Sequence, residues 1–300
     1  MEASPTEQRN PRSIGIDEKT IEEILRIISY EDQQVPTAVV KEIPRIAEAV
    51  ETLTSAIRKG GRVFFVGAGT SGRLGVLEAA EMPPTFGVHH DMFQAVIAGG
   101  PEALFQSKEG AEDDEAEGAE TIEEHGIGRD DVLVALSSSG STPFVISALR
   151  KAKKIGATTV AVTCNPVSSV SELADITITP EVGAEVVAGS TRMKAGTAQK
   201  LVLNMLTTTS MIKLGKVYNG YMIGVQPTSQ KLRSRAKRIV TTIAGVELEE
   251  AEKALELADG EVRIAILLAR SNATAEEARL ALDRADGSLR RALEILRCSQ

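Results

Sequence analysis

Ser190-Thr-Arg-Met-Lys-Ala-Gly-Thr-Ala-Gln-Lys200 sets three cations among hydroxyl and amide side chains at an apparent loop-to-helix junction. The start of a helix presents free N–H groups and the positive end of its dipole, so an anion is stabilised there. Arg192 and Lys194 add charge-assisted hydrogen bonds, and Ser190 a hydroxyl. The stretch predicts a phosphate site. A capped helix with solvated Lys and Arg is the plain alternative, and other loops have to decide between them.

Two more loops point the same way. Gly67-Ala-Gly-Thr-Ser-Gly72 follows an apolar run and opens a helix, satisfying the G-x-G-x-x-G pattern of dinucleotide sites. The next apolar run ends in Ile97-Ala-Gly-Gly100, where a dinucleotide fold carries an acid for the ribose hydroxyls, so that reading is disfavoured. Thr70 and Ser71 instead offer hydroxyls to a sugar or a phosphate. Ser137-Ser-Ser-Gly-Ser-Thr142 leads into Pro143, a favoured first helical residue, and makes a second cradle with Ser137, Ser139 and Thr142 as ligands. Together the loops predict a phosphorylated small polar metabolite.

Acids are the remaining reactive groups. Glu78 and Glu81 lie three residues apart on one helix face, and Pro83-Pro84 is expected to end that helix just beyond Glu81. Glu112 sits in the acidic stretch Glu109-Gly-Ala-Glu-Asp-Asp-Glu115, ordinarily a solvated helix. Cys164 and Cys298 are the only cysteines and have neither disulfide nor zinc spacing, and Cys164 reads as a small buried hydrophobe rather than a nucleophile.

The elements that must carry these loops are strands and helices in alternation. Val63–Val66, Phe93–Ala98, Val132–Leu136, Thr158–Thr163 and Ile176–Ile178 are continuous apolar runs that suit strands buried on both faces. The fold class is therefore α/β, an open parallel five-stranded sheet flanked by helices, with ligands expected where the strands end. Residues 1 to about 16 are expected to be flexible. Helices are expected from Thr20 through Ile28, over about residues 39–58 ending at Gly60-Gly61, and over about residues 193–215.

Beyond about Val246 the chain turns helical and charged, and Ala-Asp-Gly recurs at residues 258–260 and 285–287, predicting a small C-terminal helical bundle. Three segments follow: an N-terminal helical one (1–58), an α/β domain (59–240) and a helical domain (241–300). The basic run Lys231-Leu-Arg-Ser-Arg-Ala-Lys-Arg238 reads as a solvated helix face.

The 300 residues are 42% hydrophobic and 25% charged, with a net charge of −8, which argues against a general nucleic-acid binder. The N-terminus lacks a secretory signal pattern, and no stretch offers the roughly 18 apolar residues of a membrane span. A cytoplasmic location is expected.

With these loops in hand, the chain resembles the sugar isomerase domain proteins and, among them, the N-acetylmuramic acid 6-phosphate etherases. The resemblance covers nearly the whole length. It rests on Val66-Gly-Ala-Gly-Thr-Ser-Gly-Arg-Leu-Gly75, Glu81-Met-Pro-Pro-Thr-Phe-Gly87, Ile97-Ala-Gly-Gly100, Glu109-Gly-Ala-Glu-Asp113, Cys164-Asn-Pro166 and the long run from Val182 to Met205. Ser141 departs from it, because relatives carry arginine there. The resemblance implies a lyase that cleaves the C3 lactyl ether of N-acetylmuramic acid 6-phosphate in peptidoglycan recycling, without metal or organic cofactor. It also implies Glu81 as proton donor, Glu112 as the second active-site glutamate, and a homodimer that completes the site; with Glu81 as the acid, the chemistry of the elimination assigns Glu112 as the base. A sugar-phosphate-sensing regulatory protein, like the glucokinase regulatory protein of the same ancestry, is the rival reading. A simple aldose–ketose isomerase is a third, and it leaves the second glutamate without a role.

Overall fold

The structure of the chain, a computed structural model, describes residues 5–225 and 230–298. The chain forms two compact units. One contains the residues up to Ala80 together with Asp91–Thr207, and the other contains Glu81–His90 together with the residues from Thr208 onward.

In the first unit, residues 5–18 are not the flexible lead that the sequence suggests. They form three single-turn 3-10 helices, Pro5–Glu7, Pro11–Ser13 and Ile16–Glu18, and Thr6 and Asn10 are buried. Polar composition hides the reason, which is that these residues hydrogen-bond to a loop far along the chain. Helix α1 (Ile21–Asp32) starts at a Thr20/Glu23 capping box, as the Thr20 start predicts. The next helical stretch is divided into α2 (Gln34–Lys41) and α3 (Ile43–Arg58), the latter opening with Pro44 in its first turn and closing before Gly60.

The predicted strands are all present: β1 (Val63–Gly67), β2 (Phe93–Ile97), β3 (Val132–Leu136), β4 (Thr158–Val162) and β5 (Ile176–Ile178). They form one parallel sheet in the order β2-β1-β3-β4-β5, with Val63 opposite both Phe93 and Val132. Every residue of β1 and β3 is buried, which is why these segments read as unbroken apolar runs. The crossovers are helices: α4 (Gly69–Phe86), α5 (Glu115–Glu124), α6 (Pro143–Ile155) and α7 (Ser169–Leu173), followed by α8 (Lys194–Lys213). Phe64, Val66, Leu133 and Ala135 on one sheet face pack with Ile122 of α5 and Phe144, Ala148 and Leu149 of α6.

Helix α4 does not end at Pro83-Pro84 as expected but continues to Phe86 and closes with Gly87, whose N–H bonds to the Pro83 carbonyl at 2.9 Å. Proline fits helical φ, and its cost is the lost N–H. That loss falls on the carbonyls of Ala79 and Ala80, and Ala80 is exposed to water.

The second unit adds a short hairpin, β6 (Val217–Tyr218) and β7 (Tyr221–Met222), then α9 (Gln230–Ala244), α10 (Leu248–Leu257), α11 (Val262–Arg270), α12 (Ala275–Arg284) and α13 (Leu289–Cys298). Asp259 and Asp286, the aspartates of the two Ala-Asp-Gly copies, both adopt left-handed backbone with φ of 52° and 51°. The repeat is thus a helix stop used twice. The basic run lies within α9.

One ion pair, a half-buried arginine on a buried carboxylate, fixes where β1 and β3 begin. Asp131 accepts the Arg62 backbone N–H at 2.7 Å, Arg62 Nη2 at 2.8 Å and the Gly128 N–H at 2.9 Å. Burial alone would raise the Asp131 carboxyl, but Arg62 and these backbone N–H groups hold it below its ordinary value. A depressed carboxyl contributes stability that is complete above its unfolded pKa, about 4, and is lost as pH falls through the folded value. Urea unfolding as a function of pH should therefore show Asp131→Asn less stable than the parent at neutral pH and with a flatter acid limb. Parallel limbs would remove Asp131 from that role.

Candidate functional site

The first cradle is built where β1 meets α4. A Cβ on Gly72 would stand 2.6 Å from both the Gly67 carbonyl and Ile97 Cγ1, so only glycine lets the first turn of α4 rest on the ends of β1 and β2. Ser71 is buried there and Thr70 half-buried. The first turn of α8 lies alongside, since a Cβ on Gly196 would meet Thr70 Cγ2 at 3.5 Å.

The second cradle follows β3 and is held by its own hydroxyls. Ser137 Oγ and Thr142 Oγ1 share a hydrogen at 2.8 Å, the Gly140 N–H donates to Ser137 Oγ at 3.1 Å, and Ser139 and Ser141 pair at 2.9 Å. The loop after β4 braces it: the Cys164 N–H donates to the Ser138 carbonyl at 3.0 Å and Asn165 Nδ2 to the Ser139 carbonyl at 3.1 Å. Thr142 makes no side-chain cap on α6, and Pro143 brings no N–H to the first turn of that helix.

The basic junction has a different geometry from the one its composition suggests. The start of α8 already holds an anion, because Glu185, fully buried, accepts the Lys194 N–H at 3.0 Å and the Ala195 N–H at 2.9 Å. Lys194 is likewise turned inward, its ammonium 2.6 Å from Glu31 of α1 with both side chains buried. A phosphate finds neither the helix end nor Lys194 free. Ser190 remains half-buried and Arg192 exposed, with no side chain among the described residues engaging the Arg192 guanidinium. Burial, with Glu185 nearby, pushes the Cys164 thiol up to about 12, which removes it as a nucleophile.

The two acids of α4 have separate fates. Glu78 is buried in the first unit, where it accepts hydrogen bonds from Lys200 and Thr207 of α8. Glu81, the first residue of the second unit, is exposed. Glu112 lies in a 3-10 turn, Ala111–Asp113, and not in a helix, because Asp114 caps α5 and halts the winding there. It lines a cavity of about 250 Å³ with Gly69 of the first cradle, Arg73, Ser107 and Lys108. Neither Arg73 nor Lys108 stands out in the sequence; the signal that could have found Lys108 is its place four residues before Glu112. Among the described residues no three His, Cys, Asp or Glu side chains gather as metal ligands, and no helix is long and apolar enough to cross a membrane.

Known proteins are similar to this chain in sequence and in fold. Residues 45–153 match the family described as the glucokinase regulatory protein N-terminal SIS domain, and residues 116–209 the SIS domain. N-acetylmuramic acid 6-phosphate etherase from Mesorhizobium japonicum is 52% identical over 263 residues, 88% of this chain and 86% of its own. The etherase of the same name from Clostridium beijerinckii is 50% identical over 266 residues, covering 89% and 88%. A match of 263 residues leaves at most 37 of the 300 outside it, so it includes both cradles, Glu81 and Glu112 wherever it begins. In fold, the chain is similar to the phosphoheptose isomerase of Neisseria gonorrhoeae, with a TM-score of 0.50 and 17% identity over 64% of this chain and 98% of that one.

Three contacts tie the N-terminal residues to the loop that carries Ser190 and Arg192. Thr6 accepts the Gly189 N–H at 3.2 Å, Asn10 Nδ2 donates to the Ala184 carbonyl at 3.0 Å, and Glu31 holds Lys194. Burial would raise the Glu31 carboxyl, but its hydrogen bonds to Lys194 and Asn10 hold it below its ordinary value. Removing one member of a buried pair strands the other charge, at a cost of roughly 3–5 kcal/mol. Lys194→Met should lose about that much in urea unfolding, and Lys194→Met with Glu31→Met should recover a large part of it. A single variant as stable as the parent would show that the pair does not hold the loop.

Proposed function

The chain belongs to the N-acetylmuramic acid 6-phosphate etherase family, and from that premise we propose that it releases D-lactate from N-acetylmuramic acid 6-phosphate and leaves N-acetylglucosamine 6-phosphate. The observation that carries this reading is the identity over 88% of the chain, which takes in every loop of the site. The reaction is that of a carbon–oxygen lyase acting in amino-sugar catabolism, on the peptidoglycan-recycling route.

The chemistry requires two proton carriers. With the sugar ring open, the C1 aldehyde acidifies the C2 proton. Glu112 removes that proton as the base while Glu81 protonates the departing lactyl oxygen at C3. Water then adds to C3 of the C2=C3 bond and a proton returns to C2. Each transfer by a positioned group contributes roughly 10²–10⁴-fold. Ser137, Ser139 and Thr142 hold the 6-phosphate; Thr70 and Ser71 hold sugar hydroxyls; Ser190 and Arg192 complete the anion's surroundings. Lys194 acts through the loop it fixes rather than by touching the phosphate, a reading supported by its pairing with Glu31.

The test is incubation with N-acetylmuramic acid 6-phosphate, chelator present and no cofactor added, with assay for D-lactate. The parent should release lactate; Glu81→Gln and Glu112→Gln should each lose at least about a hundredfold in kcat. Sugar-phosphate binding without lactate release would favour the sensor reading instead.

The working species is proposed to be a homodimer in the cytoplasm. Its support is an outward apolar stripe on α1, where Ile21 and Leu25, one helical turn apart, are 79% and 60% exposed. A second copy is the partner that the family resemblance supplies. Light scattering should give a dimer for the parent and a monomer for Ile21→Glu with Leu25→Glu; a monomeric parent would end this reading.

A further inference from the structure

The Glu112 cavity contains a cation that the other described residues leave unused. Two basic residues line it, Arg73 and Lys108. Arg73 is committed, because its Nε donates to the Leu104 carbonyl at 3.1 Å and its Nη2 to the Ala103 carbonyl at 2.7 Å. It thereby fixes the loop after β2. Among the described residues no hydrogen bond or ion pair engages the Lys108 ammonium.

The position of that ammonium is not left to chance. The Lys108 stem lies over Gly99, where an added Cβ would come within 2.9 Å of Lys108 Cδ and 3.0 Å of Ala111 Cβ. Gly99 is left-handed, with φ of 80°, and its N–H donates to Glu117 at 3.2 Å. Ile97-Ala-Gly-Gly100 thus clears the floor on which the Lys108 stem runs and joins that floor to α5. A lysine stem packed on backbone keeps its charged head free while losing less conformational freedom on binding.

The etherase reading, on which this inference rests, supplies the missing anion. N-acetylmuramic acid 6-phosphate has two charged groups, the 6-phosphate and the carboxylate of the lactyl group, and the second hangs from the carbon beside the ether oxygen. C3 is the neighbour of C2, so a base at C2 brings the lactyl carboxylate close to itself. Glu109 lines the cavity as well, so the lactyl carboxylate would join two glutamates there, and carboxylates gathered in that space repel unless a cation stands with them. N-acetylglucosamine 6-phosphate has the same ring and phosphate but no such carboxylate. We propose that Lys108 receives the carboxylate of the lactyl group and so makes the site prefer the ether substrate to the sugar phosphate that remains after cleavage.

The test compares Lys108→Met and Lys108→Arg with the parent, using KM and kcat for lactate release and the inhibition constant of N-acetylglucosamine 6-phosphate. Losing one charge-assisted hydrogen bond should raise KM by about tenfold to a hundredfold in Lys108→Met. Lys108→Arg should recover most of that loss, and the inhibition constant of the carboxylate-free sugar should stay at its parent value in both. A parent KM in Lys108→Met, or an inhibition constant that rises in step with KM, would overturn the proposal, because a structural or general electrostatic role weakens both ligands alike. A parent that releases no lactate would overturn the etherase reading itself, and the assignment of Lys108 would fall with it.

Discussion

A buried carboxylate at the start of α8 determines how the loops around it can be arranged. Glu185 is fully buried and takes the first two N–H groups of the helix, and burial pushes its carboxyl above the ordinary value against the pull of those bonds. An ionised group in such a place needs neighbouring charge of the opposite sign. Lys194 provides it from the same turn, and its own ammonium needs an acceptor in turn. Glu31 supplies one from α1, with Arg12 3.6 Å from its other oxygen. Each charge is tolerable only because the next is present, so the N-terminal residues become part of the α/β unit rather than an appendage to it.

That arrangement changes what kind of phosphate site the chain can offer. Several of its cations are consumed internally: Lys194 by Glu31, Lys200 by Glu78, Arg62 by Asp131, and Arg73 by two backbone carbonyls. In the proposed phosphate site the loop after β3 therefore contributes neutral groups, hydroxyls already hydrogen-bonded among themselves. Preorganised neutral donors bind a phosphate with little rearrangement and without a pool of loose positive charge. The overall charge of −8 suits such a site, because general attraction to polyanions is absent while local recognition is retained.

The fold was legible where the signal is local. Strands buried on both faces have to be continuous apolar runs, and Val63–Gly67 and Val132–Leu136 are both wholly buried. Capping residues are local as well, which is why the start of α1 at Thr20 and the stop at Gly60 could be read directly. The failures concern partners far apart in sequence. Nothing near residues 5–16 shows that Asn10 bonds a carbonyl 174 residues away, and nothing near Lys194 shows that Glu31 waits for it. The Pro83-Pro84 stop failed for another reason: a proline pair removes two donors but is compatible with helical backbone, and the exposed Ala80 turn meets water.

The two glutamates of α4 show how far residue type and spacing can carry a functional reading. Three positions apart, they share a broad face of the helix, and either could serve as an acid on chemical grounds. The structure separates them by what surrounds each. Glu78 has both oxygens occupied, one by Lys200 and one by Thr207, and it is buried in the seam between α4 and α8. A carboxylate so engaged is a structural anion: it can move a proton only by breaking the pairing that keeps it buried. Glu81 carries no such obligation and is open to solvent. Within α4, the proposed proton transfer therefore suits Glu81, which no side chain among the described residues engages, rather than the buried glutamate beside it.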